Sequence, residues 1–163
     1  MESVTTVAQE VLNLLKRHHL TLATAESCTG GLIAATLTEL PGSSAAFRGG
    51  VVSYWTEVKH DVLGVSQDTL DAVGAVAPET ARQMAEGARR VIGSDLAVSV
   101  TGVAGPDSDD RGNPVGLVYL AFTDGTTTTV HQPQGLGTTR QDIRRNAVCY
   151  TLGIVKDYLQ GLD

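Results

Sequence analysis

The sequence is poor in the residues and patterns that mark several function classes. It has two cysteines, Cys28 and Cys149, far apart and outside any CxxC or Cys/His cluster, which excludes a disulfide framework and a zinc knuckle and leaves two free thiols. Its net charge is −6, and no basic run exceeds Arg89-Arg90 and Arg144-Arg145, so the electrostatic footprint of a nucleic-acid binder is missing. No segment requires a membrane. The start, MESVTTVAQEVLNLLKRHH, lacks an apolar core followed by a small-residue cleavage site, and the expected location is the cytoplasm. Walker A, G-x-G-x-x-G, H-E-x-x-H, EF-hand and G-x-S-x-G patterns are all absent, as are repeats and low-complexity blocks.

What is present reads as one globular domain over residues 1–163, long enough to bury a core without staples. Val7, Val11, Leu14 and Leu15 recur at helical spacing between Val4 and Lys16. A short β-compatible run, Thr21 to Ala25, feeds E-S-C-T-G-G and then a helix from Gly31 to Leu40, stopped by Pro41-Gly42. Phe47 to Tyr54 is a second strand, followed by a short helix from Glu57 to Leu63 carrying Lys59. Ser66 or Asp68 starts a further helical turn. Pro78 suits the first position of a helix to Val91 with Gly93 as its stop, its inner face formed by Ala81, Met84, Ala88 and Val91.

Leu96 to Val100 is a buried-type strand opening into a long loop, 101–116. Asp124-Gly125 joins two antiparallel strands, Leu117 to Phe122 and Thr126 to His131, and Thr138 or Thr139 caps a last helix reaching about Leu159. The alternation predicts an α/β fold, a three-layer α/β/α sandwich around a mixed sheet of about five strands.

Chemistry concentrates in Glu26-Ser27-Cys28-Thr29-Gly30-Gly31. A serine before a helix is more often a cap than a nucleophile, but Gly30-Gly31 let backbone amides approach a ligand and form an oxyanion hole. Lys59 is a candidate base if burial keeps it neutral, weighed against a solvated lysine on a short helix. Cys28 is the rival nucleophile, since a thiolate at a helix start is activated, weighed against simple packing. Gly42-Ser43-Ser44 and Thr101-Gly102-Val103-Ala104-Gly105 are turns whose amides and hydroxyls can hold a phosphate, and Arg140 and Arg144 share a helix face that can grip one. Asp107, Asp109 and Asp110 read as loop solvation rather than a metal site.

The ordered set TAESCTGG, PGSSAAFRGGVVSYWTEVKHDVLGV, GAVAPETARQMAEGAR, AVSVTGVAGP, NPVGLVYLAF and TTRQDIRRNAV closely resembles the CinA C-terminal domain family, from about Val4 to Leu159. The resemblance implies a nicotinamide-nucleotide amidohydrolase (NMN deamidase), which converts nicotinamide mononucleotide to nicotinate mononucleotide and ammonia. It implies no metal, no organic cofactor and commonly a homodimer. By motif it makes Ser27 the nucleophile and Lys59 its general base, with Tyr54 beside the dyad or the pyridine ring. Amides near Thr29, Gly30 and Gly31 would hold the oxyanion. Gly42, Ser43, Ser44, Thr101, Gly102, Ala104, Gly105 and Arg144 would line the nucleotide pocket, with Arg140 a weaker candidate.

Two stretches depart from the family pattern. Trp55 and Thr56 stand where members often carry serine and asparagine, and Asp107-Ser108-Asp109-Asp110-Arg111 replaces a glycine-rich continuation. The first would bring a bulky ring into the pocket beside Lys59, and the second would add negative charge near a phosphate site. A nucleotide-binding or interaction module without turnover, and a cysteine amidase using Cys28, are the alternatives.

Overall fold

The structure, a computed structural model, describes residues 2–163. In chain order the elements are α1 (Val4–Arg17), β1 (Leu22–Glu26), α2 (Leu32–Thr38), β2 (Phe47–Val52), α3 (Thr56–Asp61), α4 (Gln67–Val73), α5 (Pro78–Ile92), β3 (Leu96–Gly102), β4 (Val118–Thr123), β5 (Thr128–His131) and α6 (Arg140–Gln160). The strands form one sheet in the order β2-β1-β3-β4-β5. β1 is parallel to both β2 and β3, while β4 is antiparallel to β3 and β5, so the sheet is mixed as the sequence implied.

Side chains alternate in size across this sheet, and that alternation sets the layers. Leu22, Leu96, Val98, Val100, Leu120 and Phe122 point to the face covered by α1, α2 and α6. The opposite face carries Ala23, Ala25, Ala97 and Ala121, small enough for α5 to lie across the sheet with Ala81, Met84, Ala85 and Ala88 turned inward. The Ser99 hydroxyl donates to the Ala81 carbonyl at 2.6 Å, tying β3 to the same helix. Val91, expected on this inner face, is half exposed, because the last turn of α5 rotates Ile92 against the core in its place.

Local signals place most boundaries. Pro78 opens α5, and Gly93 closes it at φ +77°, a left-handed conformation that favours glycine. The hydroxyls of Ser66 and Thr139 accept from Thr69 and Asp142 amides as N-caps of α4 and α6. The Asp124 carboxylate accepts from the amides of Thr126 and Thr127, so the β4–β5 connection is a four-residue turn and β5 starts two residues later than the hairpin pattern suggested.

Because β1, β2 and β3 run in parallel, their carboxyl ends meet at one edge of the sheet. Ser27 follows β1, Ser53 and Tyr54 follow β2, and Thr101 lies near the end of β3. An open sheet with strands ending together leaves a crevice there, and helices or loops line it.

Candidate active site

Lys59 reaches the site from α3, and α3 is held by a close approach to α5. A Cβ on Gly87 would sit 2.0 Å from the Leu63 carbonyl oxygen, so only glycine lets the chain after α3 pack there. Arg90 donates to the same carbonyl at 3.0 Å. The Lys59 side chain turns inward and is 1% exposed. Its Nζ lies 2.9 Å from Ser27 Oγ, 2.6 Å from the Ser53 carbonyl oxygen and 3.4 Å from that of Tyr54. None of the ion pairs among the described residues involves it. Burial without a counter-charge disfavours the ammonium form and lowers its pKa to about 8.

The nucleophile turn is pinned on both sides. Ser27 donates its amide to Val100 of β3 at 3.0 Å, and the Ser53 amide donates to the Glu26 carbonyl at 2.8 Å, so the sheet ladder continues one rung past the strands. Glu26 itself is buried at 1% exposure, and its carboxylate accepts from the Thr29 hydroxyl and from the Ile33 and Ala34 amides at 2.7, 2.8 and 3.1 Å. The start of α2 is therefore satisfied from inside the protein. Sequence reasoning missed this residue; the signal was an acidic residue inside an apolar strand just before a helix start.

The expected oxyanion wall, the amides near Thr29, Gly30 and Gly31, is corrected at Gly30 alone. The Gly30 amide donates to the Ser27 carbonyl at 3.0 Å and is not free for a ligand. Gly30 and Gly31, at φ +60° and +100°, serve to turn the chain into α2. The amides of Cys28, Thr29 and Gly31 have no protein partner among the described residues. Cys28 lines the cleft, but burial pushes its thiol up to about 11, which opposes the thiolate that a cysteine nucleophile requires.

A cleft of about 370 Å³ opens over Ser27 and Lys59. Tyr54, Thr56, Thr101, Gly102, Ala104 and Arg140 line it, together with Asp109, Asp110 and Arg111. Arg140 donates to the Gly105 carbonyl and, at 3.1 Å, to the Tyr54 hydroxyl, tying the last helix to the β2 end across the cleft. Arg111 is a second cation facing this space that sequence reasoning did not place among the site residues. Its guanidinium also caps α4, donating to the Leu70 and Asp71 carbonyls at 3.2 and 2.9 Å. The Asp109 carboxylate is occupied by Asn113 and the Arg111 amide. Trp55 does not enter the cleft; it is 72% exposed at the start of α3.

Two further expectations are corrected. Arg144 does not line the cleft; it donates to the carbonyls of Cys28 and Thr29 at 3.1 and 3.0 Å, behind the nucleophile turn. Gly42, Ser43 and Ser44 lie before the first residue of β2, which pairs with the first residue of β1. At ~3.3 Å per residue they are roughly 16 Å from Ser27, at the opposite end of the sheet. Short polar turns look alike wherever they occur, and chain order alone did not show which strand end this one joins.

Fold and site together define a class: a three-layer α/β domain with a serine and a desolvated lysine paired where parallel strands end. A sequence model of the CinA C-terminal domain matches residues 4–159, and the chain belongs to that family. It is 48% identical over 151 residues to the putative competence-damage inducible protein of Caldanaerobacter subterraneus subsp. tengcongensis, covering 93% of this chain and 36% of that protein. A CinA-like protein of Sulfurihydrogenibium is 45% identical over 146 residues, again with 36% of its length covered. The chain thus spans about a third of the curated relatives it matches. Among solved structures, the competence/damage inducible protein CihA from Agrobacterium tumefaciens superposes with a TM-score of 0.91 at 39% identity, covering 98% of this chain and 97% of that one. A CinA superfamily protein from Klebsiella pneumoniae gives 0.94 at 28% identity, covering 98% and 99%.

Proposed function

We propose that this domain hydrolyses the carboxamide of nicotinamide mononucleotide, giving nicotinate mononucleotide and ammonia, with Ser27 as nucleophile and Lys59 as general base. The observation that carries the reading is the buried Lys59 Nζ at 2.9 Å from Ser27 Oγ, with a pKa lowered to about 8. A lysine so placed is neutral often enough near neutral pH to accept the serine proton.

Ser27 Oγ bonds to the carboxamide carbon as its proton moves to Lys59, and the carbonyl oxygen becomes an oxyanion facing unpaired backbone amides of the turn. Collapse breaks the C–N bond, and protonated Lys59 returns the proton to the departing nitrogen, which leaves as ammonia. Water then gives its proton to Lys59 and adds to the nicotinoyl ester, and Ser27 is released with that proton. Each step uses groups of this chain and water. Arg140 and Arg111, which line the cleft with Lys59, supply charge for the phosphate, and Tyr54, also in the lining, flanks the pyridine ring in this reading.

Burying a lysine costs stability, and a module that only binds nucleotides gains nothing from it. We also read the chain as cytoplasmic, in keeping with its two free thiols, and as homodimeric, in keeping with exposed Val52, Tyr54 and Trp55 around the end of edge strand β2. The test is an ammonia-release assay with nicotinamide mononucleotide on the wild type and Ser27→Ala. Release by the wild type alone supports the reading; calorimetric binding without release returns the domain to a binding role.

A further inference from the structure

The resemblance assigns Arg144 to the nucleotide pocket, yet its guanidinium is occupied with the backbone of the nucleophile turn. Nε donates to the Cys28 carbonyl at 3.1 Å and a terminal nitrogen donates to the Thr29 carbonyl at 3.0 Å. A Cβ on Gly30 would lie 3.6 Å from the same guanidinium, so the group packs directly beneath the turn. No carboxylate neutralises it, since the ion pairs among the described residues leave Arg144 out.

Both peptide planes flanking Cys28 are therefore fixed. The Gly30 amide holds the Ser27 carbonyl at 3.0 Å, and Arg144 holds the Cys28 carbonyl. In a trans peptide the N–H points opposite to the C=O, so gripping the carbonyls from behind sets the direction of the amides in front. The amide of Ser27 is taken by Val100 and that of Gly30 by Ser27. The amides next to the nucleophile that remain without a protein partner are those of Cys28 and Thr29, and Cys28 lines the cleft.

We propose that Arg144 is a positioning residue: holding the Cys28 carbonyl sets the Thr29 amide, and holding the Thr29 carbonyl sets the Gly30 amide that in turn grips the Ser27 carbonyl and so orients the Cys28 amide, with the Cys28 and Thr29 amides forming the oxyanion site beside Ser27 and the unpaired charge of Arg144 adding to the field there. This rests on the Ser27–Lys59 reading above. Donors fixed before charge develops need no reorganisation during the reaction, and a loosened turn forfeits that advantage. The planar fork of arginine suits two successive carbonyls, where a lysine holds one.

Arg144→Gln and Arg144→Lys test the role by steady-state ammonia release. The kcat is expected to fall roughly 100-fold in Arg144→Gln and roughly 10-fold in Arg144→Lys, with KM within about threefold of wild type. Adding Arg144→Gln to Ser27→Ala leaves the calorimetric affinity for nicotinamide mononucleotide unchanged. Weakened binding with kcat retained makes Arg144 a pocket residue and overturns the proposal, as does an unchanged kcat.

A fluorophosphonate probe separates this from an error in the substrate. Ser27 Oγ bonds to phosphorus, the P–F bond breaks to release fluoride, and the hydroxyl proton passes to Lys59. Labelling of Ser27 slowed roughly 10- to 100-fold in Arg144→Gln supports the positioning role whatever the natural amide. Equal labelling rates overturn it, and a wild-type Ser27 that resists the probe removes the dyad reading and this proposal with it.

Discussion

On the Ser27 wall of the cleft, polar groups from the ends of β1 and β3 and from α3 are buried: Ser27, Thr101 and Lys59 are 8%, 1% and 1% exposed. The rest of the lining includes Tyr54, Asp110, Arg111 and Arg140, all exposed; Arg111 and Arg140 donate to backbone carbonyls, and Arg140 also to the Tyr54 hydroxyl. The first set gathers at the ends of β1 and β3 and on α3, and the second on the segment after β2, the 101–116 loop and the start of α6. On the proposed reading, the groups that need fixed distances are buried, and recognition falls on exposed side chains that can change without disturbing the sheet.

If that division is right, substitutions in the two sets separate into effects on kcat and effects on KM. The largest loss belongs to the buried set: Lys59→Ala lowers kcat for ammonia release by roughly 10⁴-fold with the fold intact by circular dichroism, and a loss below tenfold breaks the assignment. Wild-type kcat/KM is expected to rise about 50-fold from pH 6 to pH 8, because the neutral form of a lysine with pKa about 8 is the active one. Lys59→Met reports the same shift through stability. The folded-state pKa is below the unfolded value, so the unfolded chain binds more protons and wild-type stability rises as pH increases from about 8 towards the unfolded lysine value. Urea titrations should show wild type gaining about 3 kcal/mol relative to Lys59→Met across that window, and parallel pH curves would contradict it.

The exposed set gives smaller, substrate-dependent effects. Arg140→Ala is expected to raise KM about tenfold for a phosphorylated amide while leaving the corresponding nucleoside unaffected, which a pair of steady-state assays decides. Tyr54→Phe removes only the acceptor of the Arg140 bond and should shift KM about two- to threefold. A kcat effect from either, larger than its KM effect, would blur the two sets into one.

Sequence patterning reached the sheet because short apolar runs, the Asp124-Gly125 turn, Pro78, Gly93 and the threonine cap at 138 or 139 are local devices whose consequences stay local. It also reached Ser27 and Lys59, although periodicity left each with a blander explanation, and the resemblance between separated motifs joined them. What escaped it was direction. Glu26, Arg111 and Arg144 each act on backbone groups of another segment, and the partners lie up to 116 positions away, as with Arg144 and Cys28. Arginines one turn apart on α6 share a face in the sequence, yet Arg140 meets the cleft and the Gly105 carbonyl while Arg144 meets the carbonyls of Cys28 and Thr29. The turn at Gly42 to Ser44 was misplaced for a similar reason: its chemistry suits an anion, but its strand end does not.

Trp55 is the sole tryptophan of the chain, and it stands in solvent between two cleft residues, Tyr54 and Thr56. An indole in that position is a built-in optical gauge. Its emission can be followed without any label, with no second indole to dilute the signal, and on the proposed reading a ligand entering the cleft beside Tyr54 is expected to change it. A stopped-flow trace of that emission would then report filling of the cleft separately from the proposed ammonia release, setting the order of binding and chemistry.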